Sequence, residues 1–268
     1  MREGWKLTAD GPRSYERYLV PAFFADCAEQ LLDLAGVGPG DRVVDVACGT
    51  GIVARRAAAR VGPAGAVTGL DVNDDMLAVA RGADPGAPVT WLRADAADLP
   101  VDDAHADAVL CQQGLQYFPD PVAAVGEAHR VVRRGGRIGV AVWRSLVHHP
   151  AWAALARALE HGAGAPAGAI MRAPFAGPGP EALRPLLLAG GFTDVRTRIG
   201  IITVRFPSTG EFLDRQVAAS PLAAVVGPLD AARSTALSAE VDRVLEPYVD
   251  DFGVAFPLQT WLAVARRA

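Results

Sequence analysis

Short apolar runs rich in β-branched residues alternate with alanine-rich amphipathic stretches through the middle of the chain. The apolar runs predict five strands, which are residues 41–47, 65–72, 87–94, 106–113 and 136–143. The stretches between them predict helices, which include residues 51–61, 74–82 and 120–134. Strands that alternate with helices in this way are typical of βαβ crossovers and a parallel sheet. Because the strands are almost continuously apolar, we expect helices on both faces of the sheet.

The last third of the chain has a different pattern. Residues 180–190 predict a helix that ends at a glycine pair, and residues 193–206 predict a long strand. Residues 207–250 predict helices with many apolar positions, and a last strand follows near 254–265. Two further strands therefore follow the alternating region.

Two segments contain residues that disrupt regular structure. The N-terminal residues 14–36 predict an amphipathic helix that is broken at Pro21. Residues 162–180 contain nine glycines or prolines among 19 residues, which predicts neither a good helix nor a good strand. A long irregular segment of this kind is either a lid or a plain connector, and the sequence favours neither.

Composition limits the classes of protein that fit this pattern. With 268 residues, 51% of them hydrophobic, the chain can bury the core of one α/β domain. A net charge of −4 gives no sign of a basic face for nucleic acid. The three cysteines form no C-x-x-C pair, which indicates a reducing compartment and no metal site. No apolar signal core or membrane-spanning run is found, so we expect a cytoplasmic protein without a membrane partner.

A glycine-rich turn follows the first predicted strand, in the stretch VVDVACGTGIVA at residues 43–54. Turns of the form G-x-G-x-x-A also occur in dinucleotide-binding folds, where a pyrophosphate rests on the helix N-terminus. Here Asp45 precedes Gly49 by four residues. A carboxylate so close would disfavour an anionic pyrophosphate and would suit a cationic group of a ligand.

Two further acidic positions indicate that this ligand contains a nucleoside. Asp71 ends the second predicted strand, twenty residues after Gly51, where a carboxylate can accept hydrogen bonds from ribose hydroxyls. Asp95 and Ala96 follow the third strand and are placed to meet the edge of a base. Asp71 also suits a helix N-cap, for which Asn73 and Asp74 compete, and Asp95 also suits a turn.

These features together resemble the class I S-adenosylmethionine-dependent methyltransferases. The D-x-A-C-G-T-G turn, the acidic strand end and the A-D-A segment follow that family's motif order over residues 41–143. The stretches QQGLQYFPDP (112–121) and VVRRGGRIGVAVW (131–143) resemble its small-molecule branch, which includes the ubiquinone and menaquinone biosynthesis (type 11) methyltransferases.

The resemblance implies an α/β, Rossmann-like, doubly wound sheet of seven strands with the last strand antiparallel, N-terminal helices and a helical cap insertion. On this basis we expect a single methyltransferase domain over residues 1–268. Its expected parts are an N-terminal helical lid (1–40), a cofactor-binding core (41–144) and an acceptor-side half (145–268), with the cap insertion at about 207–250.

The resemblance also implies S-adenosyl-L-methionine as the cofactor. The implied cofactor-binding residues are Asp45, Ala47, Gly49, Thr50, Gly51, Asp71, Val72, Met76, Asp95, Ala96 and Gln112. The glycine turn and Gln112 would hold the methionine end, and Asp71 would bind the ribose. Val72 and Met76 would flank the adenine.

Methyl transfer from a sulfonium needs alignment of the reactants above all, and a carbon or oxygen nucleophile usually also needs a base. His148 and His149 follow the fifth strand, at the sheet edge where open α/β folds bind ligands. They are the candidate catalytic residues, although a histidine there also suits the start of the next helix. Tyr15, Tyr18 and Tyr117 are candidate acceptor contacts, and core packing would explain them equally well.

The acceptor is expected to be a hydrophobic small molecule of secondary metabolism. The proline pair that marks methyltransferases acting on nucleic-acid amines is absent from QQGLQYF, and the apolar cap suits an apolar partner. Three alternatives stay open: a dinucleotide-dependent oxidoreductase, a cyclase that keeps the cofactor as a structural element, and a module that senses the cofactor. A monomer and a homodimer are equally compatible with the sequence.

Overall fold

The computed structural model describes Leu7 and residues 10–268. Residues 1–6 and 8–9, which belong to the predicted lid, lie outside the described residues. The strands are β1 Arg42–Val46, β2 Ala66–Asp71, β3 Val89–Arg93, β4 Ala106–Gln112, β5 Val132–Trp143, β6 Thr193–Phe206, β7 Val249–Asp250 and β8 Gly253–Arg266. The first half's helices are α1 Gly11–Ser14, a π-helix Tyr15–Phe24, α2 Ala25–Ala35, α3 Ile52–Val61, α4 Asp74–Ala83 and α5 Pro121–Val131. The remaining helices are α6 Pro150–Ala163, α7 Ala165–Arg172, α8 Pro180–Ala189, α9 Thr209–Ala218, α10 Ala223–Val226 and α11 Ala231–Leu245.

The strands form one mixed sheet in the order β3-β2-β1-β4-β5-β8-β6. Strands β1 to β5 pair in parallel, and β8 lies antiparallel between β5 and β6. This confirms the predicted fold class, with one addition. The two-residue β7 pairs with β8, which makes eight strands where seven were expected.

Helices cover both faces of the parallel part, as the apolar strands predict. On one face α2 and α3 bury Leu31, Ala54 and Ala57 against the sheet. On the other face α5 and α8 bury Val125 and Leu187. The small alanines of α3 let its backbone approach the strands closely, which positions the turn that precedes it.

A third apolar cluster joins the π-helix to α6, α9 and α11 above one end of the sheet. It is rich in aromatic rings, among them Phe23, Trp152 and Phe212. We call α6, α7, α9, α10 and α11 the cap. It contains the helices of the predicted insertion at about 207–250 and, in addition, α6 and α7. No helix of the described residues is both long and apolar enough to cross a membrane.

Two predictions of local structure are wrong. Pro21 does not break the N-terminal helix, because the chain continues through it as a π-helix in which Ala25 N–H bonds Val20 O. Residues 162–180 are not wholly irregular, since α7 begins there. Gly164 with φ 97° starts α7 and Pro166 lies in its first turn, where proline is tolerated.

Candidate functional site

A cavity opens at the carboxyl ends of β1 and β4, where the order of the strands reverses. In open α/β sheets this point is the usual place for a ligand. The π-helix and the cap enclose the cavity on its other sides, through Phe23, Phe24, Trp152 and Gln216. The cavity therefore joins the sheet edge to the aromatic cluster.

The structure brings most of the predicted site residues together in this one cavity. Its lining includes Tyr15, Asp45, Ala47, Gly49, Thr50, Asp71, Val72, Met76, Asp95, Ala96, Gln112 and Tyr117. Gly51, the N-cap of α3, is not itself in the lining, but it lies between the lining residues Thr50 and Ile52. Tyr18, His148 and His149 are outside the lining.

The glycine turn has a left-handed backbone at three positions. Ala47, Gly49 and Gly51 have φ of 57°, 56° and 89°. A side chain at Gly51 would also collide with the Trp91 ring, because a Cβ placed there comes within 2.3 Å of a ring carbon. Trp91, a neighbour on β3 that sequence reasoning missed, thus restricts position 51 to glycine.

Asp45 is the most perturbed acid of the cavity. Its side chain is 1% exposed, and Oδ2 accepts a hydrogen bond from Ala54 N at 3.0 Å. Its Oδ1 is buried without a described partner. Burial raises the pKa of Asp45 to about 8, and the nearby Asp71 adds to this. Burial therefore favours the protonated carboxyl, and a cationic group of a ligand beside it would favour the ionised form.

Asp71 is held in place by the backbone on both sides. Its Oδ2 accepts from Gly49 N and its Oδ1 from Asn73 N, each at 2.8 Å. Burial raises its pKa. Because each oxygen keeps a second lone pair, the carboxylate can still accept from a ligand hydroxyl. The N-cap of α4 is Asn73, whose Oδ1 accepts from Asp75 N at 3.0 Å, so Asp71 is free of that role.

Asp95 forms a turn and lines the cavity as well. Its Oδ1 accepts from Ala97 N at 2.9 Å, which leaves the backbone at Ala96 beside the cavity. The two roles that the sequence suggests for Asp95 are therefore compatible.

Buried acceptor atoms collect at the sheet end of the cavity. Gln112 donates from Nε2 to Phe24 O at 3.2 Å, while its Oε1 has no partner among the described residues. Thr50 Oγ1 and Asp45 Oδ1 are also buried without a partner among the described residues. Unpaired buried acceptors are costly unless a ligand supplies donors. This set suits the ammonium group at the amino-acid end of S-adenosylmethionine, which is cationic and donates hydrogen bonds, so the residues present fit that cofactor.

The two candidate histidines lie behind the cavity wall. His149 is fully buried, with Nδ1 3.2 Å from Ser145 O and Nε2 3.0 Å from Gln259 O and 2.9 Å from Gln259 N. Burial lowers the pKa of His149. His148 Nε2 lies 3.0 Å from the Arg144 guanidinium. These contacts connect the α6 start to β8, and a catalytic role for either residue stays a prediction.

The three tyrosines have different surroundings. Tyr15 and Tyr117 line the cavity, and burial raises the pKa of both phenols. Tyr18 instead lies beside two guanidinium groups, with Arg17 and Arg215 5.2 and 5.3 Å from its ring centre. Neither cavity tyrosine is therefore a base at neutral pH.

The cap side of the cavity is a largely aromatic wall that sequence reasoning missed. Its residues are Phe23, Phe24, Trp143, Trp152, Met171, Pro174, Phe175, Gln216 and Leu258. No described residue of this wall carries a group that titrates near neutral pH. The apolar positions of the N-terminal helix and of the segment PAWAALARALE were the available signal, but they also predict ordinary packing.

Comparison with known proteins agrees with this geometry. Residues 44–140 match the family model described as a methyltransferase domain. The ubiquinone/menaquinone biosynthesis C-methyltransferase UbiE of Ectopseudomonas mendocina is 41% identical over 111 residues, covering 40% of this chain and 43% of the relative. The match thus spans less than half the length of that relative.

Two solved structures have the same fold over most of this chain. Phosphoethanolamine N-methyltransferase 2 of Haemonchus contortus, in complex with S-adenosyl-L-methionine, has a TM-score of 0.61 and 18% identity, covering 97% of this chain and 58% of that one. The [4+2]-cyclase SpnF has a TM-score of 0.56 and 20% identity, covering 100% of this chain and 88% of that one. At these identities the likeness establishes the fold alone.

Proposed function

We propose that the protein methylates a hydrophobic small molecule. Residues 44–140 carry a type 11 S-adenosylmethionine-dependent methyltransferase domain, whose cofactor is S-adenosyl-L-methionine. The observation that carries the proposal is the cavity itself. Unpaired acceptors line its sheet end, and aromatic side chains line its cap end. The first set suits a cationic donor and the second an apolar acceptor.

We assign the cofactor contacts as follows. Asp45, Thr50 and Gln112 take the amino-acid end through their unpaired oxygens. Asp71 takes the ribose hydroxyls, and Val72 and Met76 flank the adenine. Asp95 and Ala96 meet the adenine edge, and the turn residues Ala47, Gly49 and Gly51 let the backbone approach the ligand.

The chain's main contribution to the reaction is orientation and exclusion of water. When bound, the cofactor supplies an electrophilic methyl group and accepts the electron pair of the broken carbon–sulfur bond. Holding the reactants in line can lower a barrier by roughly 7–11 kcal/mol. The described aromatic wall contributes no base, so an acceptor bound against it reacts already ionised or loses its proton to water or to His148 or His149, the predicted catalytic residues.

The N-terminal helices are proposed to act as a lid over the site. The Arg55 guanidinium in α3 bonds the Glu16 carboxylate of the π-helix at 2.6 Å and also bonds Thr50 O. The same side chain therefore connects the π-helix to the glycine turn. We further propose a cytoplasmic protein of secondary metabolism, one domain long, acting as a monomer or homodimer.

The test is a screen of acceptors with the cofactor, followed by mass spectrometry for the gain of one methyl group. We expect aromatic or polycyclic metabolites to be methylated. Methylation of only polar or macromolecular acceptors would contradict the proposal.

A cyclase that retains the cofactor is the second candidate. It is favoured by one observation, the absence of a titratable side chain from the described aromatic wall, because a cyclisation that proceeds through shape and binding needs no base. In the same screen a cyclase would convert an acceptor to an isomer of unchanged mass. Conversion with mass gain would exclude this candidate for that acceptor.

A further inference from the structure

Two hydrogen-bond donors are buried without partners on the cap side of the cavity. They are Trp152 Nε1, on α6, and Gln216 Nε2, on α9. Both residues line the cavity and are more than nine-tenths buried, with exposed fractions of 4% and 3%. Neither nitrogen has an acceptor within hydrogen-bond distance in the part of the chain that the structure describes.

The two donors belong to one corner of the cap. The Trp152 ring packs edge-on against Phe212, with ring centres 5.5 Å apart. Gln216 lies one helical turn after Phe212 on α9, so it is on the same face of that helix. The rings of Phe175 and Phe256 also contact Trp152, and none of these neighbours offers an oxygen.

The nitrogens of other buried amides nearby are paired, which makes this corner unusual. Gln116 Nε2 donates to Gln113 Oε1, and Gln113 Nε2 donates to Thr260 Oγ1, both at 3.1 Å. The fold thus satisfies amide donors where it can. A buried donor without a partner costs free energy, and such groups are rare outside functional sites.

The type of unpaired atom also changes along the cavity. Oxygens of Asp45, Thr50 and Gln112 are unpaired at the sheet end, and N–H donors are unpaired at the cap end. A cationic donor group therefore fits the first end and an electron-rich oxygen fits the second.

We propose that Trp152 and Gln216 together bind one oxygen of the acceptor, so that the acceptor is a largely apolar ring system carrying a carbonyl-type oxygen. This rests on the proposed function and adds the group by which the acceptor is recognised. Two N–H donors match the two lone pairs of such an oxygen. The held oxygen positions the ring system and is not itself the methylated atom, since its lone pairs are occupied.

The test uses two probes that differ by one oxygen, 1-tetralone and tetralin. Calorimetric titration of each probe into the full chain saturated with S-adenosylhomocysteine gives two dissociation constants. If each of the two hydrogen bonds contributes about fivefold in affinity, the wild type should prefer 1-tetralone by roughly 25-fold. Trp152→Phe and Gln216→Leu should each reduce this preference about fivefold, and because the preference is the ratio of the two affinities it cancels changes in apolar contact that both probes share.

Trp261→Phe is the matched control, because it removes the same atoms from a ring outside the cavity that lies under Arg144 at 4.8 Å. Its preference should equal that of the wild type. The thermal midpoint of Gln216→Leu supplies a second measurement, because leucine keeps most of the side-chain volume. Removing an unpaired donor should leave this midpoint unchanged or raise it, whereas a lost structural hydrogen bond would lower it.

Equal affinities of the wild type for the two probes, a preference that survives both substitutions, or failure of both probes to bind would each overturn the proposal. Binding of S-adenosylhomocysteine itself is measured in the same experiment. Its absence would instead count against the proposed function, so the two failures are distinguishable.

Discussion

At the scale of single residues, the site contains polar groups without hydrogen-bond partners and a strained backbone position. Asp45 is buried with one oxygen unpaired, and Ala47 has the left-handed backbone that suits glycine better. Such costs persist where the surrounding structure enforces them, and they often accompany binding sites. That Asp45 lies at the cavity edge of the sheet could be predicted from the sequence, because the strand that carries it fixes its position.

The pKa of Asp45 predicts how the stability of the ligand-free protein depends on pH. Its folded pKa of about 8 lies above the unfolded value, so the folded state binds more protons between these two values. Stability from this group is therefore present at low pH and is lost as the pH rises toward about 8. Urea unfolding from pH 5 to 9 should show this loss in the wild type.

Asp45→Asn should remove that part of the pH dependence, because the amide stays neutral. Asp75→Asn, at the exposed start of α4, is the control and should retain it. Identical pH profiles for the wild type and Asp45→Asn would show that Asp45 ionises freely in the folded protein.

The backbone of Ala47 predicts a stabilising substitution. Ala47→Gly should relieve left-handed strain and raise the free energy of unfolding by about 0.5–1 kcal/mol, after the entropy that glycine adds to the unfolded chain. Ala104→Gly, at φ 52° in an exposed turn, should give a similar gain. If Ala47→Gly lowers the free energy of unfolding while Ala104→Gly raises it, the Ala47 methyl is needed for packing beside Gly114.

At the scale of elements, the alternating pattern located the strands well because burial on both faces leaves little choice of residue. The long strand predicted at 193–206 is β6 with the same bounds. The predicted helix break at Pro21 and the predicted irregular structure of residues 162–180 were wrong for the same physical reason. Glycine and proline disrupt a helix only in some positions, and tertiary packing decides whether a π-helix or a helix start accommodates them.

The connection between the π-helix and α3 predicts a measurable cost. The Arg55 and Glu16 side chains are 11% and 23% exposed, so breaking their pair leaves a largely buried charge. Arg55→Met should lower the free energy of unfolding by about 2 kcal/mol and weaken cofactor binding.

Arg56→Met is the matched control for Arg55→Met. Arg56 pairs with Glu29 at 3.3 Å on the surface, where loss of an ion pair costs less than about 1 kcal/mol. Chemical denaturation and cofactor titration of both variants give the comparison. Equal effects of the two substitutions would mean that the Arg55 pair does not hold the π-helix in place.

At the scale of the whole molecule, the sheet brings three sequence-distant regions to one cavity. The grouping of the predicted cofactor residues in one cavity was predictable because they follow successive strands, whose carboxyl ends meet at one edge. The aromatic wall was not predictable. Phe23, Trp152 and Gln216 come from separate helices, and their apolar neighbours would look the same in an ordinary core. His148 and His149 illustrate the reverse case: their position in the sequence suits a site, while the His149 ring contacts backbone atoms and the His148 ring contacts the Arg144 guanidinium.

The most direct test is calorimetric titration of the protein with S-adenosylmethionine and S-adenosylhomocysteine, with Asp71→Ala and the exposed Asp74→Ala beside the wild type. We expect saturable binding that Asp71→Ala weakens by about 10- to 100-fold, as expected for loss of hydrogen bonds to a charged group, and that Asp74→Ala leaves unchanged. Absence of binding to the wild type, or equal binding by the wild type and Asp71→Ala, would contradict the assignment of this cavity to the cofactor.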